Sequence, residues 1–513
     1  MTEVNQLDTP SFENPEPGER NAVLTLAKGA GIALVGRILS RGLLIVGQAI
    51  LARALGRADY GLFSIGWSVL QISLFASPIG LQHGVIQFGA RAWGEDALQL
   101  RRILQQTIFL AFISSLFWGA ALYILSPQLS IWFDKPGLEL VLRGTAIAMV
   151  LSVLIRVVAA ATRISRRVQF STLAEDFLPS LFLTIGAILF TMLWPGGLFG
   201  SLLSVVVSYG LSIVAAFFFL IKLYPDVIKP VSWDSSLFRQ ITAFSVPAAV
   251  AGTLIVLIQW VTRLVLGYFR PEAEVGLYQA ASQLASVLVM VQASTSAIFT
   301  PMIARMAAQN DTGQLNKLYK IATKWSLYLS IPLLLVLMVY PALSLQLVFD
   351  AEYVDGAAAL LIMAVGQLVN IATGAVGPLM VTLNRQKQFV QIQTIALIIT
   401  LALNIWWIPE WGITGAAIGN AIGIAFANLA SMIYLRHATG LWPYDRRYLK
   451  GVLASLLAGA ALLLLEALIP AEWYAIILAG GLAMVVFFLV LQRAGLDEED
   501  QQFIGALRKR IGI

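Results

Sequence analysis

Two arginines stand one helical turn apart in the first long apolar segment of the chain. Arg37 and Arg41 lie in KGAGIALVGRILSRGLLIVGQAILARALG, residues 28–56. A charged side chain at the centre of a lipid-facing helix costs roughly 2.5–3.5 kcal/mol. Guanidinium groups bind carboxylates and phosphates through paired hydrogen bonds. These residue types at this spacing predict that the helix holds an anion.

The depth of the two arginines and their shared helix face indicate what surrounds them. With a rise of 1.5 Å per residue from Lys28, Arg37 lies about 14 Å and Arg41 about 20 Å along the helix. The hydrocarbon layer is about 30 Å thick. Residues i and i+4 share a helix face, and two like charges on a dry face would repel each other. We expect a water-filled cavity with an anionic ligand; the alternative is pairing with acidic side chains or carbonyls of other helices.

The composition indicates a membrane protein with many spans. Of 513 residues, 58% are hydrophobic and only 12% are charged, whereas about a quarter of a soluble chain is charged. The net charge of +6 comes from basic residues in short loops, so we expect no nucleic-acid partner. The absence of cysteine excludes disulfides and thiolate metal sites. His83 and His437 are far apart in sequence, so we expect no metal and no cofactor.

Hydropathy predicts an all-α integral membrane protein with fourteen transmembrane helices, because each span needs about 20 apolar residues. The runs are too long for barrel strands and lack their alternation. The predicted segments are 29–52, 61–88, 104–126, 138–162, 172–194, 198–221, 241–269, 276–303, 325–346, 356–383, 389–408, 413–435, 450–469 and 473–492.

The distribution of Lys and Arg predicts the orientation. Of the 34 basic residues, 25 lie at the termini and in the even-numbered loops, and four lie in the odd-numbered loops. Both termini are therefore expected in the cytoplasm. The remaining five lie inside predicted spans: Arg37, Arg41, Arg143, Arg156 and Arg263.

The two halves of the sequence resemble each other at a nearly constant offset. Gly61-Leu62-Phe63 aligns with Gly276-Leu277-Tyr278, and GLFGSLL at 197–203 aligns with GITGAAI at 412–418. Six spans per repeat give two parallel lobes around a central cleft, which suits alternating access. The predicted divisions are a disordered cytoplasmic tail (1–22), an N-lobe (23–222), a linker (223–240), a C-lobe (241–436), two extra helices (437–493) and a cytoplasmic tail (494–513).

At residues 51–91, LARALGRADYGLFSIGWSVLQISLFASPIGLQHGVIQFGAR resembles the hallmark region of Wzx-type polysaccharide flippases. The matching features are Leu55-Gly56, Tyr60-Gly61 and an apolar span that ends at Arg91. The superfamily also contains the MATE drug exporters and the lipid II flippase. The span count, the repeat and the additional C-terminal pair extend this resemblance over nearly the whole chain.

The resemblance implies a flippase of the bacterial cytoplasmic membrane. Its substrate would be an oligosaccharide on a polyprenyl diphosphate carrier, moved from the inner to the outer leaflet for surface-polysaccharide synthesis. Partners would be this lipid-linked glycan, membrane lipids, a polysaccharide polymerase and glycosyltransferases, and we expect a monomer. A lipid II flippase and a MATE-type cation-coupled antiporter stay open as alternatives. We find no nucleophile–base pair or phosphate-binding glycine loop in the sequence, so a transporter is expected rather than an enzyme.

The candidate site residues follow from these expectations. A diphosphate fits Arg37 and Arg41, and Arg263 is a third candidate, although it is close enough to the outer end of its span to reach the headgroup region. Arg143 and Arg156 are expected to be interfacial anchors. Glu175 and Asp176 are candidates for a coupling ion, with a salt bridge to Arg166 or Arg167 as the alternative. Sugar hydroxyls are expected to contact glutamines, or these glutamines bond between helices: Gln48, Gln71, Gln259 and Gln283.

Overall fold

The computed structural model describes residues 17–501 apart from 166, 194–196, 310, 471, 496, 498 and 499. Side chains are described from residue 35 onward, except at 248, 251 and 297. Within this part of the chain every regular element is helical. The α-helices are α1 Pro17–Ala76, α2 Leu81–Ala92, α3 Ala97–Trp132, α4 Leu138–Arg163, α5 Val168–Thr172, α6 Leu178–Leu193, α7 Leu198–Leu223, α8 Ser235–Phe269, α9 Glu272–Ala308, α10 Thr312–Val339, α11 Pro341–Val348, α12 Ala357–Ala372, α13 Val376–Thr382, α14 Gln386–Thr439, α15 Tyr448–Leu468 and α16 Trp473–Arg493.

Twelve helical segments in the described residues are long and apolar enough to cross a membrane. The prediction of an all-helical, multi-pass membrane protein is therefore confirmed. Two of the twelve are much longer than one crossing requires: Val35–Ala92 has 58 residues and Gln386–Thr439 has 54, against the roughly 20 that span a bilayer.

Both long segments contain a glycine whose backbone is not helical. Gly56 has φ 71° and ψ 170° inside α1, and Gly412 has φ 52° and ψ −131° inside α14. A side chain with a Cβ rarely adopts these angles, so glycine permits the break. Each break falls in a gap between two spans predicted from the sequence. We call α1–α7 the first half of the chain and α8–α14 the second half.

The predicted span 61–88 is not one continuous helix. After α1 ends, Pro78 cannot donate a backbone hydrogen bond, and Ile79 and Gly80 both have positive φ. The chain then enters α2. A Cβ on Gly80 would overlap the backbone carbonyl of Ser245 on α8. The turn is therefore fixed both by its local sequence and by close contact with the second half.

The core is continuous across the two halves. Tyr60 on α1 lies 6.0 Å from Tyr353, ring centroid to centroid, in an edge-to-face arrangement. Both side chains are fully buried, as is Phe349, which lies 6.4 Å from Tyr60. Edge-to-face pairs add about 0.5–1.5 kcal/mol beyond the area they bury. The halves are thus held together by a packed aromatic layer at the Gly56 end of the molecule.

The last two helices pack on each other and on α10. Small residues at four-residue spacing, Ala454 and Ala458, are fully buried on α15, which allows close helix packing. At the end of α16 the chain returns to α10. There Lys324, 2% exposed, forms ion pairs of 3.0 Å with both Asp497 and Asp500.

Candidate functional site

A π-helical turn, Leu173–Phe177, separates α5 from α6 and carries two adjacent carboxylates, Glu175 and Asp176. Such turns widen the helix locally and occur frequently at functional sites. The Glu175 side chain is 19% exposed and that of Asp176 is 38% exposed. The turn packs against α1 and α4, so both acids lie beside the arginines of those helices.

Glu175 is held by two arginines of α4. It pairs with Arg163, and its Oε1 lies 3.9 Å from Nη1 of Arg156. The Arg156 guanidinium also lies 3.9 Å above the Phe75 ring, an arrangement that attracts the cation to the ring face. Arg156 therefore points into the helix bundle and is not the interfacial anchor expected from its position in the sequence. Of the arginines expected to pair with Glu175, Arg167 is exposed and residue 166 lies outside the described residues.

Asp176 connects this network to α1. Its Oδ2 lies 3.6 Å from Nε of Arg37, with side-chain exposures of 38% and 61%. An ion pair this exposed contributes about 0–1 kcal/mol. Arg41 is exposed; it interacts electrostatically with Asp176 but is not within ion-pair distance of it. One of the two arginines is thus loosely paired and the other is available.

Six charged side chains of α1, α4 and the π-helical turn form what we call the basic cluster. Its four cations exceed its two anions by two charges, so a dianion would complete the balance. The exposure of its α1 members is costly against lipid and favourable against water. The basic cluster consists of Arg37, Arg41, Arg156, Arg163, Glu175 and Asp176.

The second half carries no charge at the four positions equivalent to the arginines of the basic cluster. Adding the repeat offset of 215 to the four arginine positions leads to Gly252, Val256, Ile371 and Pro378. None of these residues is charged. The charge is therefore concentrated on one side of the interface between the halves.

Arg263 on α8 lies apart from the basic cluster and is 5% exposed. Its Nε donates to Oε1 of Gln279 at 2.5 Å, and its Nη2 donates to Oγ of Ser282 at 2.5 Å. Its Nη1 donates to the carbonyl of Gln259 at 2.7 Å, and its guanidinium lies 4.5 Å from the Trp260 ring centroid. The side chain thus points between α8 and α9 and does not extend toward the membrane surface. No described carboxylate pairs with it.

The four candidate glutamines differ in access. Gln48 is 1% exposed; its Oε1 accepts a hydrogen bond of 2.9 Å from the Tyr60 hydroxyl. Gln71 and Gln283 are half-buried, and Gln259 is exposed. Gln48 is therefore an interhelical contact in this conformation, whereas the other three retain access to a ligand.

The two halves are also joined by charges that the sequence reasoning did not select. Nη1 of Arg57 lies 3.1 Å from Oδ2 of Asp355. Nζ of Lys135 lies 3.5 Å from Oε2 of Glu272 and donates to the carbonyl of Arg270 at 3.0 Å. We call Arg57, Asp355, Lys135 and Glu272 the inter-half gate. The sequence feature that could have identified them is that Arg57 and Lys135 are two of the four basic residues in the odd-numbered loops.

A cavity of about 370 Å³ lies away from both the basic cluster and the gate. Three basic side chains line it, Lys317, Lys320 and Arg447, and two of them, Lys320 and Arg447, already lie within 4.0 and 3.6 Å of Asp445. We therefore place the candidate site at the basic cluster.

Comparison with known proteins gives a family and a curated relative. The profile of the family described as "Polysaccharide biosynthesis protein" matches residues 50–358. A probable low-salt glycan biosynthesis flippase, Agl15 of Haloferax volcanii, is 21% identical over 421 residues, which cover 80% of this chain and 84% of that protein.

Solved structures share the fold. The lipid II flippase MurJ in an inward closed conformation has a TM-score of 0.71 at 14% identity and covers 90% of this chain and 98% of its own. An inward-facing multidrug-resistance MATE transporter has a TM-score of 0.63 at 14% identity, with 79% and 98% covered. At these identities the likeness concerns the fold alone.

Proposed function

Because the chain belongs to the polysaccharide biosynthesis protein family, we propose that it is a flippase for a glycan carried on a polyprenyl diphosphate. The basic cluster is the observation that carries this proposal. A diphosphate ester supplies the negative charge that the cluster lacks, and its oxygens suit the forked geometry of guanidinium groups. The curated relative is itself named a probable glycan biosynthesis flippase.

The substrate headgroup enters at Arg37 and Arg41. Arg41 is available, and Arg37 exchanges a weak contact with Asp176 for a phosphate. Glu175 fixes Arg156 and Arg163 behind them. Sugar hydroxyls then contact the accessible glutamines Gln71, Gln259 and Gln283, while Gln48 becomes accessible only after the halves move apart.

Transport proceeds by alternating access between two lobes. The breaks at Gly56 and Gly412 divide the two longest helical segments, and this supports our proposal of fourteen crossings in two six-helix lobes and a C-terminal pair. The inter-half gate closes the outer end in this conformation. Both termini lie in the cytoplasm of a bacterium, and the glycan moves from the inner to the outer leaflet.

Glu175 and Asp176 remain the candidates for a coupling ion, since both lie within the membrane-spanning region beside the substrate arginines. The transporter acts as a monomer and hands its product to a polysaccharide polymerase, after glycosyltransferases have built it. Among the described residues no group of three or more acidic or histidine side chains is arranged to hold a metal.

The test uses purified protein in liposomes that contain a polyprenyl-diphosphate-linked oligosaccharide. The Arg37→Ala/Arg41→Ala double variant is expected to lower the rate of flipping at least tenfold. Arg143→Ala is the matched control, because Arg143 pairs with Glu139 on its own helix outside the basic cluster. Flipping at the wild-type rate by the double variant would refute the proposal.

Two cell assays separate the alternatives. Drug efflux that persists in the double variant favours a MATE-type antiporter, although the positive charge of the cluster repels organic cations. Rescue of cells depleted of their lipid II flippase favours that substrate over other lipid-linked glycans.

A further inference from the structure

We infer that Arg263 is the centre of a second diphosphate-binding station, nearer the gate, which receives the headgroup after it leaves the basic cluster. This inference rests on the proposed function and extends it, because it assigns an order of use to the arginines.

The two sites lie at different depths. The repeat offset of 215 places the equivalents of Arg37 and Arg41 at 252 and 256, so Arg263 stands eleven and seven residues further along its helix. At 1.5 Å per residue these differences correspond to about 16 and 10 Å. Arg263 therefore marks a second level along the path, and a headgroup bound at Arg37 moves about 16 Å along the helix direction to reach it.

The charges of the two halves alternate along this path. At the level of the basic cluster the first half is cationic and the second half is uncharged. At the level nearer the gate the charge lies on the second half, at Arg263. The equivalent residue of the first half is the neutral Gln48. A headgroup that travels toward the gate is thus passed from one half to the other.

The surroundings of Arg263 are those of a closed ligand site. A buried cation without an acidic partner is costly, and Arg263 donates its present hydrogen bonds to neutral acceptors. Gln279 is 1% exposed. Tyr60 interacts electrostatically with Arg263 and donates a hydrogen bond to Gln48, whose buried Nε2 has no hydrogen-bond partner among the described residues. An unused donor and an uncompensated guanidinium in one buried region fit an anion that is absent from this conformation.

The station also lies at a boundary that must open. Arg263 bonds to Gln279 and Ser282 on α9, while Tyr60 and Gln48 belong to α1 of the other half. Gly267, one turn beyond Arg263, packs against Ile65 of α1, where an added Cβ would lie 2.7 Å from Ile65 Cδ1. Separation of the halves here exposes Arg263 to the outer side.

The first experiment compares resting-state binding with transport, using farnesyl diphosphate as the binding probe and the lipid-linked oligosaccharide for flipping. Arg37→Ala/Arg41→Ala is expected to weaken probe binding at least tenfold. Arg263→Gln is expected to change probe affinity less than twofold and to reduce flipping at least tenfold, and Arg263→Lys to restore part of it. Equal loss of probe binding in both variants, or normal flipping by Arg263→Gln, overturns the station.

The second experiment needs no substrate and therefore separates failure of the station from failure of the proposed function. The chain has no cysteine, so Ser282→Cys introduces a single thiol. A membrane-impermeant maleimide added outside is expected to label it at least fivefold faster when the gate is weakened by Lys135→Ala. Unchanged, negligible labelling in that background shows that the Arg263 region never opens outward and overturns the inference.

Discussion

Gly61 and Gly276 contact each other's helices at reciprocal positions, although 215 residues separate them. A Cβ on Gly61 would overlap the carbonyl of Glu272, and a Cβ on Gly276 would overlap the carbonyl of Arg57. Glu272 and Arg57 are separated by the same 215 residues. The contact therefore has the symmetry that a twofold axis between the halves would generate.

We expect Gly61→Ala to destabilise this contact. The added methyl group has only backbone to displace, and overpacking of this kind costs about 1–3 kcal/mol. Both Gly61→Ala and Gly276→Ala should lower the melting temperature in detergent, and by similar amounts, because they disturb the same contact. Gly210→Ala is the control, since nothing lies within 4 Å of its added Cβ. Equal melting temperatures for all three variants would contradict the close approach.

The gate pairs should differ in strength. Lys135 is 7% exposed, and its removal leaves Glu272 and the Arg270 carbonyl without their donor, at a cost of about 1–3 kcal/mol. Arg57 and Asp355 are 45% and 71% exposed, so their pair contributes about 0–1 kcal/mol. Lys135→Ala should therefore favour the outward-open state more than Arg57→Ala. The rate of external maleimide labelling of Ser282→Cys measures this, and the reverse ranking would show that Lys135 does not close the gate.

Asp176→Asn should strengthen binding of farnesyl diphosphate. Asp176 competes with the ligand for Arg37, and an exposed pair is worth about 0–1 kcal/mol, so the dissociation constant should fall by up to about fivefold. Isothermal titration calorimetry provides the measurement. Asp226→Asn is the control, because Asp226 pairs with Arg101 and Lys229. A rise in the dissociation constant would instead mean that Asp176 positions Arg37 for the ligand.

The C-terminal segment that follows α16 contacts α10 through Asp497 and Asp500, which pair with Lys324. This contact should be lost in acid. Burial raises the pKa of Asp497, but hydrogen bonds from Lys324 and Lys450 outweigh it, so the pKa lies below its ordinary value of 3.8. A depressed pKa gives stability that is present above the unfolded-state value and is lost as the pH falls through the folded-state value. The contact should hold at neutral pH and weaken below about pH 4.

Limited proteolysis of the C-terminal segment at pH 7 and at pH 3.5, with an acid-active protease for the lower pH, tests this expectation. Asp497→Asn should increase cleavage at pH 7 and reduce the difference between the two conditions. The control is Asp350→Asn, an exposed residue just after the end of α11. Cleavage of the wild type that does not depend on pH would show that the Asp497 carboxylate does not secure the segment.

The sequence by itself determined the class of fold and the location of the first two arginines. Long apolar runs must satisfy their backbone hydrogen bonds within a helix in lipid, so composition and length are sufficient for that prediction. The offset of 215 was also readable from local matches. Charges inside spans are rare enough that Arg37, Arg41 and Arg263 stood out without any structure.

Only the tertiary structure decided which charges meet. Glu175 lies on a π-helical turn and pairs with Arg156 and Arg163 of α4, and a hydropathy pattern carries no information about these contacts. The burial of Arg263 likewise depends on the position of α9 beside α8. Hydropathy is a property of consecutive residues and can be read along the sequence. An ion pair requires two side chains from distant segments to lie within a few ångströms of each other, and only the tertiary structure brings them there.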